Sequence, residues 1–174
     1  MPRALTPVPA DPAEARKAAH AAALRLLAGR EMSVSRVRER LRSRGFPDEV
    51  IDGTVERLVR AGILDDRRAA HAAARTLATV RQRGRHRVGR ELEQLGFTRE
   101  MAVDATQSVF ADAADERAVL DKVVASRLRG RRSIPDPAAY RRLFAALLRR
   151  GFPADLIRPA LRPYWGHRHQ PEEE

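Results

Sequence analysis

The chain has 174 residues, a formal net charge of +11 that comes almost entirely from arginine, and no cysteine. The absence of cysteine excludes disulfides, thiol chemistry and cysteine-based zinc sites, and no apolar run reaches the roughly 18 residues of a membrane span. A positive surplus of this size favours a nucleic-acid or acidic protein partner.

A Gly-Phe dipeptide recurs at a nearly constant period. Each copy follows a Leu that stands four residues before its Gly, and the three copies are Gly45-Phe46, Gly96-Phe97 and Gly151-Phe152. Self-similarity at a period of about 50 residues is typical of tandem structural units that bury one another's apolar faces. No long run of alternating β-branched residues indicates a strand. We therefore predict an all-α fold of three tandem three-helix repeats.

Residues 1–11 are rich in proline and lack the apolar segment of a signal peptide, so we expect a disordered start and a cytoplasmic protein. Repeat 1 then spans residues 12–62. Its first helix is predicted over residues 12–28, with Leu24 and Leu27 on the apolar side. Its second helix follows the N-cap Ser33 and its third is opened by Pro47. One flank of the second helix carries a candidate binding row at a spacing of four residues, namely Arg36, Arg40 and Arg44.

Repeat 2 is predicted over residues 63–112. Asp65 is placed to cap its first helix, and Asp66 would then lie at the positive end of the helix dipole. That helix is predicted to continue to about residue 83, with Ala73, Leu77 and Val80 facing inward.

Residues 81–90 carry five arginines and one histidine and contain no acid. Arginine at a helix start opposes the dipole, and such a local conflict indicates a role outside folding. The planar guanidinium suits phosphates and carboxylates. The candidate binding residues here are Arg81, Arg83, Arg85, Arg87 and Arg90.

Repeat 3 is predicted over residues 113–163, followed by a tail over 164–174. Its first helix should run from about residue 115 to 128, and Pro137 should open the second. Pro153 should open a short last helix that Pro159 and Pro163 limit. The loop between the first two helices carries a second candidate cluster, namely Arg127, Arg129, Arg131 and Arg132.

No catalytic arrangement is visible along the chain. The histidines never fall four residues apart on one helix, as a helical metal site would require. A glycine-rich phosphate loop is also missing. We therefore expect a protein that is not an enzyme and that uses no cofactor or metal.

Three linked motifs resemble the RecX family, regulators of the RecA recombinase. They are residues 33–46, the Gly-Ile-Leu-Asp-Asp string that ends at Asp65 and Asp66, and the stretch from Arg83-Gly84 to the second Gly-Phe. The resemblance covers about residues 18–162. Where the family usually has an aromatic residue, this chain has Ala69.

The resemblance implies a function that composition does not. It implies an elongated, curved monomer that binds the RecA filament on single-stranded DNA and inhibits its recombinase, ATPase and co-protease activities in DNA repair and the SOS response. Single-stranded DNA itself would be bound weakly or through the filament. The alternative is a sequence-specific repressor of the helix-turn-helix type, which would need one base-reading helix and a dimerising surface.

Overall fold

The computed structural model describes residues 8–165, which fold into helices joined by short turns, with no strand among them. The helices are α1 (Pro12–Leu27), α2 (Val34–Arg42), α3 (Asp48–Arg60), α4 (Asp66–Arg75), α5 (Arg85–Gln94), α6 (Arg99–Val109), α7 (Ala113–Leu128), α8 (Pro137–Arg149) and α9 (Ala154–Leu161). The extensive helix–helix contacts all lie within consecutive triplets of helices. The predicted all-α fold of three tandem three-helix repeats is confirmed.

The recurrent Gly-Phe dipeptide forms the turn between the second and third helices of each repeat. Each glycine has a positive φ, +86° at Gly45, +87° at Gly96 and +93° at Gly151. The N–H of the next residue donates to the carbonyl of the motif's Leu at 3.3–3.4 Å, which closes the helix end. The leucines and the phenylalanines are all buried. The motif therefore combines a helix stop with a core anchor.

The stripe of α1 that faces the core is built from alanine. Leu24 is 39% exposed and Leu27 is only partly buried, so the prediction that both line the apolar side is wrong for Leu24. Small side chains let α1 lie close against α3. The buried residues of α1 are Ala15, Ala19, Ala22 and Ala23.

Helix α4 ends earlier than predicted and continues as one π-helical turn, Thr76–Val80. The N–H of Arg81 donates to the carbonyl of Thr76 at 3.1 Å, a bond that spans five residues instead of four. This wider turn shifts its own last residues off the helical period of α4. Val80 is consequently 76% exposed, and the prediction that it faces inward is wrong.

Two further boundaries differ from the sequence prediction. Pro159 lies inside α9 and does not limit it. Helix α7 begins at Ala113, two residues before the predicted start. Its first turn is held by Asp112, whose side chain accepts the N–H of Ala114, and by Asp115, whose side chain accepts the N–H of Asp112.

Repeats 1 and 2 meet at the N-terminus of α2. The hydroxyl of Ser33 donates to the carbonyl of Leu95 at 2.6 Å. From α4, the Oδ1 atom of Asp66 accepts the N–H of Val34 at 2.7 Å. The first N–H groups of a helix have no partner within it. In this junction, the following repeat supplies one.

Repeats 2 and 3 meet through the backbone at two glycines. The N–H of Gly84 donates to the carbonyl of Arg150 at 2.9 Å, and the N–H of His86 donates to that of Gly151 at 3.1 Å. A Cβ on Gly84 would lie 2.5 Å from the carbonyl carbon of Gly151. The two backbone segments approach this closely only because Gly84 and Gly151 both lack a side chain.

The two junctions share one design. At the second junction, the Oε1 atom of Glu116 on α7 accepts the N–H of Arg85 at 2.7 Å, as Asp66 accepts that of Val34 at the first. In both cases a carboxylate from the first helix of one repeat caps the second helix of the repeat before it. The repeats are therefore joined in series.

Candidate basic interaction surface

Basic side chains are paired with carboxylates unevenly along the array. Over residues 12–62, six of eleven have a carboxylate oxygen within 4.0 Å among the described residues, and over residues 63–112 five of nine do. Over residues 113–165, only Arg117 of twelve does, through Asp121. The uncompensated positive charge of the described chain is therefore concentrated in repeat 3.

Arg83 and Arg87, from the cluster predicted over residues 81–90, share an internal carboxylate. Their Nε atoms lie 3.4 and 2.6 Å from Oε1 of Glu91. The Arg87 contact is a hydrogen bond, whereas the Nε–H of Arg83 is not aligned for one and contributes by charge alone. Both side chains help to hold α5, which leaves them less available to a partner.

Arg85 is placed at the first position of α5, where its charge would oppose the helix dipole. The side chain of Glu116 resolves this conflict, because it accepts the backbone N–H of Arg85 and also pairs with its guanidinium. Glu116 is only 1% exposed. The remaining members of the cluster, Arg81 and Arg90, are exposed and have no carboxylate within 4.0 Å in the described part of the chain.

The cluster predicted in repeat 3 lies around the loop between α7 and α8, and all four of its arginines are exposed. Arg127 and Arg131 line a pocket of ≈ 230 Å³ together with Arg142 of α8. Arg129 ends α7 in a left-handed conformation with φ +49°. Arg129 and Arg132 do not line this pocket.

Arginines of repeats 2 and 3 face one another across the junction. Burial lowers the pKa of Arg150 below its ordinary value, and the positive charges of Arg127 and Arg83 lower this pKa further. Nη1 of Arg150 donates to the carbonyl of Gln82 at 3.4 Å. The neighbouring charges of Arg127 and Arg83 therefore add a repulsion at Arg150, which has no carboxylate of its own within 4.0 Å among the described residues.

Arg142 and Arg150 were missed as site residues by sequence reasoning. A signal for them existed, because residues 137–154 hold four arginines and no acid. This stretch forms α8 and the following turn, so its charge is spread over a helix and not gathered in one run.

The row predicted on α2 does not form a continuous free flank. Arg36 pairs with Glu39 at 3.0 Å, and Nη1 of Arg44 lies 3.5 Å from the carbonyl of Ala22, which accepts its hydrogen. Arg40 is exposed and has no carboxylate within 4.0 Å over residues 8–165. Repeat 1 therefore offers little uncompensated charge on this side.

The Asp65-Asp66 pair is a structural device. Asp65 caps α4 by accepting the N–H of Arg68 at 2.9 Å, as the sequence predicted. Asp66 reaches across to α2. Burial raises the pKa of the Asp66 carboxyl, while the hydrogen bond from Val34 lowers this pKa and the charge of Asp65 raises it.

Residues 8–165 contain neither a membrane-spanning helix nor a cluster of metal ligands. None of the helices there is long and apolar enough to cross a bilayer. The same residues contain no group of three or more histidine, aspartate or glutamate side chains placed to hold a metal ion.

The fold and the charge distribution define a tandem helical-repeat protein with a basic surface on its third repeat. Two family models match the chain, "RecX, first three-helix domain" over residues 19–58 and "RecX, third three-helix domain" over residues 115–161. The first region contains the dipeptide Gly45-Phe46, and the second contains Gly151-Phe152.

Named relatives agree with the family models. A regulatory protein RecX from Trichlorobacter lovleyi is 36% identical over 141 residues, which cover 79% of this chain and 89% of that relative. A RecX from Mycolicibacterium vanbaalenii is 31% identical over 163 residues, with 85% and 87% covered. The chain therefore belongs to the RecX family of regulatory proteins.

Solved structures support the same fold. The crystal structure of RecX from Lactobacillus salivarius superimposes with a TM-score of 0.70 at 20% identity and covers 86% of this chain and 96% of its own. A crystal structure of a regulatory protein RecX gives a TM-score of 0.71 at 18% identity, with 84% and 71% covered.

Proposed function

We propose that this protein binds the nucleoprotein filament that RecA recombinase forms on single-stranded DNA and inhibits the filament's recombinase, ATPase and co-protease activities. Membership of a family of regulatory proteins supports a regulatory role. The protein would act as a monomer, and it would bind single-stranded DNA weakly when the filament is absent.

The uneven pairing of basic side chains carries this proposal. Repeats 1 and 2 use about half of their basic groups within the protein, whereas only Arg117 is paired among the twelve of repeat 3. Cations without internal partners release counterions when they meet a polyanion, and this favours binding to nucleic acid. Repeats joined in series also suit an extended target.

A repressor of the helix-turn-helix type is less well supported by the structure. Such a protein presents the N-terminal residues of its recognition helix to the base edges. The third helix of every repeat carries acid in its first turn, namely Asp48 and Glu49 in α3, Glu100 in α6 and Asp155 in α9. These carboxylates would meet the DNA phosphates first and be repelled.

The DNA-dependent ATPase of RecA tests the proposal. We expect the hydrolysis rate on single-stranded DNA to fall as the protein is added, and we expect the protein to sediment with filaments formed with nucleotide. A rate that stays unchanged at a large molar excess of the protein over RecA would contradict the proposal. A parallel salt series on bare DNA should show much weaker binding that falls steeply with salt.

A further inference from the structure

The pocket in repeat 3 is lined by arginines on one part of its wall and by apolar side chains on the rest. It lies between the end of α7, the loop over residues 129–136, and α8. Its charged or polar lining residues are Arg127, Arg131, Arg142 and Ser133, and no acid lines it. Its apolar lining residues are Leu128, Ile134, Pro135, Ala139, Leu143 and Ala146.

Folding alone does not explain three arginines around one pocket. Like charges brought together by the fold repel one another, and none of these three has a carboxylate within 4.0 Å among residues 8–165. The nearby Arg150 extends the same cluster across the junction. A set of cations without internal partners is a local conflict, and a bound anion resolves it.

We propose that this pocket is a phosphate-binding site, which holds one phosphodiester group of single-stranded DNA on Arg127, Arg131 and Arg142. The hydroxyl of Ser133 adds a donor of the kind that phosphate oxygens accept. The apolar wall supports the sugar or base next to that phosphate. The choice of DNA as the source of the phosphate rests on the proposed function.

The surroundings of the pocket favour a nucleotide over an acidic peptide. Tyr140 follows the lining residue Ala139, and its ring centroid lies 5.0 Å from that of Trp165. Trp165 is 43% exposed. Bases stack on aromatic side chains of single-strand-binding proteins whatever their sequence. The N–H of the lining residue Ile134 also donates to the carbonyl of Tyr164, the residue before Trp165, at 2.8 Å, so the backbone next to the indole contacts the pocket wall. An exposed indole in this part of repeat 3 offers a stacking surface to a base near the bound phosphate.

Two triple variants test the site. The first replaces the pocket arginines, Arg127→Gln, Arg131→Gln and Arg142→Gln. The matched control, Arg25→Gln, Arg57→Gln and Arg75→Gln, removes the same charge from exposed arginines that lack a carboxylate within 4.0 Å over residues 8–165 and lie outside the pocket. Binding of a fluorescent oligothymidylate is then measured by anisotropy over a salt series.

The pocket variant should lose affinity by about tenfold or more, since each lost contact is charge-assisted, and the control by about threefold at most. Because the pocket variant loses its contact to one phosphate, its slope of log affinity against log salt should be shallower than that of the parent by about 0.7. Equal losses in the two variants would overturn the site, because bulk charge would then explain the binding.

The only tryptophan of the chain gives a second measurement. Its fluorescence should change when oligothymidylate binds to the parent, and this change should be lost in the pocket variant. Thymidine, which has no phosphate, should leave the signal unchanged. Thymidine monophosphate should compete only weakly; an affinity equal to that of the oligonucleotide would show a free-nucleotide site and overturn the assignment to a strand. Competition by polyglutamate as strong as by DNA would overturn phosphate as the ligand.

Thermal melting shows whether a loss of DNA binding in the pocket variant comes from a loss of folding. The pocket variant removes mutual repulsion, so its Tm should equal or exceed that of the parent. The RecA assay is independent of this test. If the two variants bind DNA equally while the parent inhibits RecA, the pocket fails and the proposed function stands. If the parent leaves RecA unaffected while only the pocket variant loses DNA binding, the proposed function fails and the pocket stands.

Discussion

At the scale of single residues, Gly151 shows how little space the second junction leaves. A Cβ there would lie 2.3 Å from the backbone nitrogen of Arg87 and 2.4 Å from its Cβ. These atoms belong to a helix that cannot easily move. The positive φ of +93° adds a second penalty for any side chain.

Gly130 provides a matched comparison, because its φ is +79° and no atom would lie within 4 Å of an added Cβ. We expect Gly130→Ala to lower the free energy of unfolding by about 1 kcal/mol through the backbone conformation alone. Gly151→Ala should lower it by about 2 kcal/mol more, because the junction must open. Urea denaturation measures both, and equal losses would mean that the junction yields without cost.

Asp66 has a pH dependence whose sign follows from its surroundings. Its pKa is raised, chiefly by burial, so the folded chain binds this proton more tightly than the unfolded chain. The contribution of Asp66 to stability is then fully present below the ordinary value of 3.8, and it is lost as the pH rises through the raised value.

Asp66→Asn should remove this dependence while keeping an oxygen that can accept the N–H of Val34. We expect the variant to gain stability relative to the parent between acid and neutral pH, as followed by urea melts at several pH values. Asp66→Ala should instead cost about 1–2 kcal/mol at neutral pH, because the Val34 N–H loses its acceptor. A parent and an Asn variant with parallel pH profiles would contradict this account.

At the scale of the elements, the Gly-Phe turns tie the second helix of each repeat to the third. Phe97 is 6% exposed and belongs to the core of repeat 2. Phe97→Ala should cost about 3–5 kcal/mol by leaving a cavity. On α6, Val103 is 47% exposed, so Val103→Ala should change stability by less than about 0.5 kcal/mol. A Phe97→Ala variant that melts like the parent would place this side chain outside the core.

The N-terminus of α5 depends on a carboxylate from the next repeat. Arg85→Ala leaves the buried Glu116 with one hydrogen bond and no opposite charge, which should cost about 2–3 kcal/mol. The double variant with Glu116→Ala should cost less than the sum of the two single variants, since neither charge is then buried alone. Additive losses in this cycle would show that the two side chains do not act as a pair.

At the scale of the whole molecule, the repeats are joined one after another, and extensive helix–helix contacts stay within each repeat. We therefore expect an elongated particle. A compact domain of this length would have a radius of gyration of about 16 Å. Small-angle scattering should give a clearly larger value and a skewed distance distribution. A value at the compact limit would mean that the first and third repeats fold against each other in solution.

The fold was largely predictable, because its signals are local. The Leu, Gly and Phe of each motif lie within six residues, and one helix end uses them all, so their spacing in sequence is their spacing in space. The errors arose where local rules failed. The π-helical turn that ends at Val80 shifted the helical period. Helix α1 uses alanine against its neighbour, which leaves Leu24 exposed.

The candidate site was predictable only in part. The four arginines at the end of α7 were identified from their density, and two of them line the pocket. Arg142 was missed because it reaches the pocket from a separate helix. Conversely, three arginines of the run over residues 81–90 are paired with carboxylates, two with Glu91 directly after the run and Arg85 with the distant Glu116.

The sequence by itself determined the repeat number, the helical class and the family, because each depends on spacings within one turn or one repeat. It also determined the total positive charge. Only the tertiary structure decided which of these charges remain available to a partner, because ion pairs form between residues that the fold brings together from different repeats. The fold pairs Arg85 with Glu116 at a junction. It leaves Arg127, Arg131 and Arg142 around a pocket without a carboxylate.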